Sequence, residues 1–397
     1  MKSLMDNENI ISFTPTYQNY LWGKSSEESL ICNHLQKDKI NEELPYAELW
    51  IGAHPKSSGQ ISSELSLNEH IKKNPSFCLG STLELFGNKL PFLLKILSVR
   101  TPLSIQAHPD KKLAKMLHSQ RPDIYPDDNH KPEIAVALST LDLLVGFKDP
   151  KEILEYTETY PAIKIASNYV DPTKDLKQFL KNIMDYPKQG LLGLFNSMQR
   201  KMKLKDLATL KIEEQYFLKT FKNEFPEGDH GLFGFFIFQF VRLKSGEAIE
   251  IKENTPHCYL YGDLVECMAN SDNVVRAGLT NKYCDAETLI EMLNFKNTSQ
   301  NVLTKIVNIE DLKITEFISS YKEFKLINIT GSNFNYEYLT KNRPSIIFNL
   351  EGSLEYYTDK FNIHSCPLTK ALFVPASTSK VNLKLNNANV FIALSNN

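Results

Sequence analysis

The chain has 397 residues, with 45 Lys and Arg against 47 Asp and Glu, a formal net charge of −2, 42% hydrophobic residues and 23% charged ones. At about 150 residues per domain this length predicts two or three domains, and so ordinary a mixture excludes disordered, collagen-like and coiled-coil classes. A near-neutral chain has no overall field for holding nucleic acid or an anionic membrane, so any anion must be gripped by a local cluster.

The first residues, Met1 to Ile11, carry Asp6 and Glu8 and lack the long apolar stretch of a signal peptide. From Ile10 to Ala53 short apolar runs mixed with Asn, Gly and Pro predict strands and loops. Leu90 to Val99 (LPFLLKILSV) predicts a buried strand, and Thr101 to His108 a second extended run after Pro102. Helical periodicity then predicts helices in Lys111 to His118, Lys151 to Thr157, Thr173 to Met184, Gly190 to Lys201 and Lys211 to Asn223. Strand patterning returns in Phe235 to Phe240 and Val241 to Glu250, with turns at Gly246 and Gly262. After a helical run near Asp285 to Asn294, the stretch Thr304 to Asn397 is made of short β-rich segments and predicts a second antiparallel sandwich.

The expected class is therefore mainly β with a helical insert. A first β domain is split between residues 1–150 and 231–300, a helical insert fills 151–230, and a C-terminal β-sandwich takes 301–397. No apolar stretch approaches the roughly 20 residues that span a bilayer. The six cysteines, Cys32, Cys78, Cys258, Cys267, Cys284 and Cys366, show no CxxC spacing and read as reduced thiols, so a soluble cytoplasmic protein is expected.

Four clusters can carry chemistry. In Ser104-Ile105-Gln106-Ala107-His108 strand alternation turns Ser104, Gln106 and His108 to one face. In Asn129-His130-Lys131-Pro132-Glu133 the proline holds Lys131 extended, so Lys131 and Glu133 share a side. From Thr255 to Glu266, His257 and Tyr259 share a face, a turn is expected at Gly262-Asp263, and Glu266 falls on a returning strand. Taken singly, these read as well as an edge strand, an exposed turn and a plain hairpin. Taken together, Gln106, His108, Glu133 and His257 offer two imidazoles, a carboxylate and an amide oxygen, a set without thiolate that suits a catalytic Zn²⁺. The fourth cluster is charge in apolar strands. Lys95 interrupts LLKIL and Arg276 sits between Val275 and Ala277, and each needs a buried carboxylate or a bound anion.

Five stretches carry a family resemblance: YQNYLWGK from Tyr17, AELWIGAHPKSSG from Ala47, LPFLLKILSVRTPLSIQAHPDK from Leu90, NHKPEIAVAL from Asn129 and NTPHCYLYGDLVECMANSDNVVRAGLTNK from Asn254. In this order they resemble the type I phosphomannose isomerases. The resemblance implies a cupin-type jelly roll with a helical insert and a second β-sandwich. It places one Zn²⁺ per chain on Gln106, His108, Glu133 and His257, and the family's catalytic arginine on Arg276. Ser104, Lys95, Lys131, Tyr259, Glu266, Asp272 and Lys282 match positions that line the substrate pocket. Beyond Thr304 no motif matches, and Asn281 stands where the family pattern has a proline.

The implied reaction interconverts mannose 6-phosphate and fructose 6-phosphate through an enediol-type proton transfer, in a cytoplasmic monomer whose partner is a small sugar phosphate and neither nucleic acid nor membrane. Glu266, Lys131 and His130 are candidates for the shuttling base, with a preference for Glu266. Competing readings are a cupin-like iron oxygenase, for which the fourth ligand Gln106 leaves less room, and a sugar-phosphate-binding protein without turnover.

Overall fold

The computed structural model describes residues 10–296, 302–358 and 362–396. Residues 1–9, inspected above for a leader, lie outside it. Two large sheets dominate. The first has ten strands and contains every chemical cluster named above, with Phe238–Leu243, Leu141–Phe147, His257–Ala269, Phe92–Val99, Glu48–Ile51 and Thr16–Gln18 in spatial order. Ile105–Ala107 joins it beside Val275–Gly278, and Glu133–Ala137 beside Ala248–Ile251. This is the jelly roll. The second sheet has nine strands, eight from Leu303–Ile309 to Lys380–Leu394 and a ninth, Ile11–Phe13, that closes its edge by pairing with Ala371–Val374.

Phe92–Val99 is buried at all eight positions, as its unbroken apolar run requires of a strand covered on both faces. Its neighbour His257–Ala269 organises the site, because it pairs with four other strands. Here the structure differs from the sequence expectation. Gly262-Asp263 is no hairpin turn but a bend within one continuous 13-residue strand. Residues 257–261 pair with 142–145, and residues 262–269 with 92–99. At the change of partner Gly262 has φ +123°, and a Cβ there would lie 2.4 Å from the Thr140 carbonyl oxygen, so only glycine fits. The next residue pins the bend: the buried Asp263 carboxylate accepts from Lys24 Nζ and Ser98 Oγ, each at 2.5 Å, and from Ser139 Oγ at 3.1 Å.

The helices of the insert pack Phe179, Phe195, Phe217 and Phe233 into the same apolar core as the roll. Observed helices include Pro150–Thr159, Leu176–Asp185, Lys188–Lys203 and Ile212–Asn223. Phe235 to Phe240, expected as strand, begins instead as the short helix Gly234–Ile237 before the strand Phe238–Leu243. A run apolar at every position carries no period to tell the two apart. A separate core joins the other side of the roll to the C-terminal sandwich through Phe13, Phe92, Phe324 and Phe348. All six cysteines are free thiols. Among the described residues no helix is long and apolar enough to cross a membrane.

Candidate metal centre and active-site pocket

Three strands deliver one polar group into the interior of the roll. His108 follows Ile105–Ala107, Glu133 opens Glu133–Ala137, and His257 opens His257–Ala269. Their ligand atoms all lie within 4.8 Å of one another. Glu133 Oε1 is 3.3 Å from His108 Nε2, and Oε2 is 3.5 Å from His257 Nε2. The opposite ring nitrogens face carbonyls, His108 Nδ1 that of Asn273 at 2.7 Å and His257 Nδ1 that of Thr255 at 3.1 Å. A carbonyl can only accept, so each Nδ1 carries the proton and each Nε2 presents a lone pair to the centre.

Both Nε2 atoms and Glu133 Oε2 are buried with no hydrogen-bond partner, and Glu133 Oε1 is paired with the Lys131 ammonium at 2.9 Å. Leaving one such atom unsatisfied costs about 1–3 kcal/mol, and three converging on a point is the mark of a cation site. Protonation agrees. Burial, reinforced by the Lys131 charge, pushes His108 down to about 4, and burial also lowers His257. Burial alone would raise Glu133, yet Lys131 and His108 hold it well below the usual carboxylate range. Neutral imidazoles and an ionised carboxylate are the states that ligate metal. Gln106 is the register partner of His257 and half-buried beside them.

A second layer adjoins the centre. Glu266 and Lys95 are register partners, as are Lys95 and Trp50. Lys95 Nζ lies 3.4 Å from Glu266 and 3.5 Å from Glu48, over the Trp50 ring at 4.9 Å from its centroid. Tyr259 donates its hydroxyl to Glu266 at 3.1 Å, and Trp50 Nε1 donates to Glu48 at 2.5 Å. Burial and the nearby Glu133 charge push Glu266 up to about 7, against the pull of Lys95 and Lys131. Burial would lower Lys95, but Glu48, Glu266 and Glu133 together raise it. Lys131 Nζ reaches Glu133 at 2.9 Å.

At the rim stands Arg276, half-buried on Val275–Gly278 and register partner of Gln106. Among the described residues no carboxylate lies within ion-pair distance of Arg276 or of Lys282. Burial lowers both, and the Arg276 charge lowers Lys282 further. Two neighbouring cations without counter-ion make an opening for an anion. Ser104 is half-buried at the start of the Gln106 strand.

Two further candidates are held by charged neighbours. Asp272 is taken by Lys56 at 2.9 Å and His54 at 3.6 Å. His130 has Nδ1 2.6 Å from Glu253 and Nε2 2.8 Å from Glu323, so neither nitrogen is open toward the pocket. Glu48, Trp50, His54 and Lys56 escaped the sequence reading of individual residues. Glu48 carried the same signal as Lys95, a charge within an apolar strand. Two cavities lie outside the centre. One of about 750 Å³ runs between Thr14 to Tyr17 and Lys370, and one of about 620 Å³ reaches the rim only at Ala277 to Cys284.

Residues 10–150 match the family model described as phosphomannose isomerase type I, catalytic domain. The chain is 38% identical over 343 residues to a probable mannose-6-phosphate isomerase of Echinococcus multilocularis, covering 77% of this chain and 78% of that one. It is 35% identical over 380 residues to the mannose-6-phosphate isomerase of Mus musculus, covering 88% and 89%. A crystal structure of mannose 6-phosphate isomerase bound with zinc and yttrium superposes with a TM-score of 0.84 at 26% identity, covering 97% of this chain and 99% of that one.

Proposed function

The chain belongs to the type I phosphomannose isomerases, the mannose-6-phosphate isomerases, and on that premise we propose that it interconverts mannose 6-phosphate and fructose 6-phosphate with one zinc ion held by Gln106, His108, Glu133 and His257. The observation that carries the metal assignment is the convergence of three buried, unpartnered ligand atoms, one each from His108, Glu133 and His257. Zinc in such a site supplies Lewis-acid polarisation and orients oxygen ligands. No thiolate enters the set, which favours a working site over a purely structural one.

The remaining work falls to side chains. In the direction of ketose formation, Glu266 as carboxylate takes the proton from C2 and returns it to C1, while the hydroxyl proton moves from O2 to O1. An enediol lies between the two transfers. A carboxylate brought up to about 7 by burial suits a group that must both accept and donate near neutrality. Lys95 and Tyr259 fix its two oxygens. Lys131 lies against Glu133 and supplies positive charge where the enediolate develops. Arg276 and Lys282 grip the phosphate at the rim, with Ser104 beside them, and Arg276 also faces the reacting end through its register with Gln106. His130 is held by Glu253 and Glu323, and Asp272 by Lys56 and His54.

The test is a coupled assay of fructose 6-phosphate formation by purified protein, before and after chelation and after zinc restoration, with metal analysis. Turnover should disappear with chelator and return at one zinc per chain. In deuterated water the product should carry solvent label. Zinc-loaded protein without turnover overturns the assignment, and turnover with no label replaces proton transfer by a hydride shift.

A further inference from the structure

The connection between the C-terminal strands Leu312–Ile318 and Lys325–Gly331 reaches out of its own sandwich and into the jelly roll. It touches the chain beside each of the three metal-ligating positions. Beside Glu133, the His130 ring is clamped between Glu253 and Glu323. Beside His108, Lys111 lies 3.7 Å from Glu323. Ahead of His257, Glu253 accepts from the Tyr321 hydroxyl and faces His130, while Glu250 accepts from the Ser320 backbone N–H at 3.0 Å and from its hydroxyl at 3.1 Å. The last two stretches are also sewn together, since Asn254 donates its N–H to the His108 carbonyl at 2.8 Å.

The reaching connection is itself anchored. Asn396 donates its side-chain amide to the carbonyls of Ser319 at 3.2 Å and Tyr321 at 3.0 Å. Glu323 is buried, and Phe324 beside it is fully buried in the core shared by roll and sandwich. Buried charges facing one another across two domains hold a defined geometry, because displacing any one strands the others.

We propose that residues 319–323 of the C-terminal sandwich are a working part of the metal centre, with His130, Glu253 and Glu323 as positioning residues that hold the three ligand-bearing stretches in register. The inference deepens the function proposed above and rests on its metal site. It gives the sandwich a task in the reaction although none of the pocket side chains described above comes from it, and it makes His130 a positioning residue in place of a base.

The experiment uses the full zinc-loaded chain. His130→Gln, Glu323→Gln and Tyr321→Phe are compared with the unmodified protein in the rate of zinc transfer to a colorimetric chelator and in kcat and KM. Leu383→Ala, a truncation in the sandwich core away from the clamp, is the control for general destabilisation. All are measured where each variant is folded by circular dichroism. His130→Gln and Glu323→Gln should release zinc about tenfold faster and lose kcat about tenfold with KM little changed, the size expected for support behind metal ligands. Tyr321→Phe, which removes one hydroxyl, should move the same way by about threefold, and it decides the question alone if the charge variants do not fold. Zinc release at the unmodified rate, or release no faster than in Leu383→Ala, overturns the proposal. Protein that takes up no zinc in any form defeats the metal assignment and this inference with it, a result distinct from zinc held equally well by every variant.

Discussion

Glu266 is the side chain whose surroundings leave it most finely balanced. It is buried between a cation and a hydroxyl, and it lies close enough to Glu133 for that charge to raise it toward 7. A bound divalent cation adds positive charge beside it and favours the ionised form, so kcat/KM should lose activity on an acid limb at or below about pH 7. Glu266→Gln should lower turnover by about 10²–10⁴-fold with zinc content unchanged, measured by the coupled assay and metal analysis. Near-native turnover would pass the proton transfer to Lys131. Lys95 and Arg276 could be picked out in the sequence because a charge inside an apolar strand demands an explanation. Glu48 bore the same mark, and only the register of its strand against Lys95 reveals that the two charges answer each other. His130 and Asp272 sit within the same motifs as the other candidates, and nothing in one dimension tells that their side chains meet Glu253, Glu323, Lys56 and His54.

Among the elements, the His257–Ala269 strand gathers the candidate site, since it carries His257, Tyr259 and Glu266 and changes partners halfway along. Gly-Asp between two apolar runs is a turn signal and a bulge signal alike, which is why the sequence suggests a hairpin where the chain keeps going. The bend makes a sharp expectation. Gly262→Ala forces a Cβ against the Thr140 carbonyl at a φ of +123°, and should cost about 2–4 kcal/mol in urea unfolding. Gly246→Ala is the comparison: its φ of +86° is also positive, but nothing lies within 4 Å of the added carbon, and it should cost about 1 kcal/mol. Equal losses at the two positions would remove the steric argument. The helices of the insert were far easier to read, because each buries one face and repeats its apolar residues accordingly, whereas the apolar run at 234–237 shows no face at all.

For the whole molecule, the C-terminal sandwich is the part whose role the sequence conceals, since the polar contacts that tie it to the roll beside the ligand-bearing stretches come from scattered residues that form no motif. Its tie to the roll and the metal centre titrate in opposite directions. His130, held by two carboxylates, is raised to about 9. A group raised on folding contributes stability that is full below its unfolded value near 6.5 and is lost as pH climbs through about 9. His108 and His257 are lowered on folding, His108 to about 4. Their contribution is full above 6.5 and is lost as pH falls toward 4, while Glu133, held well below the usual carboxylate range, stays ionised through that window. Chelated protein should therefore be most stable near neutrality, with an alkaline arm owed to the clamp and an acid arm owed to the empty ligand set. Urea unfolding from pH 4 to 10 separates them. His130→Gln should flatten the alkaline arm and leave the acid one, and zinc should raise stability near neutrality while steepening the acid arm, because protons and metal compete for the same imidazoles. An alkaline arm that survives His130→Gln would place the titrating group elsewhere and cut the proposed link between sandwich and metal centre back to simple packing.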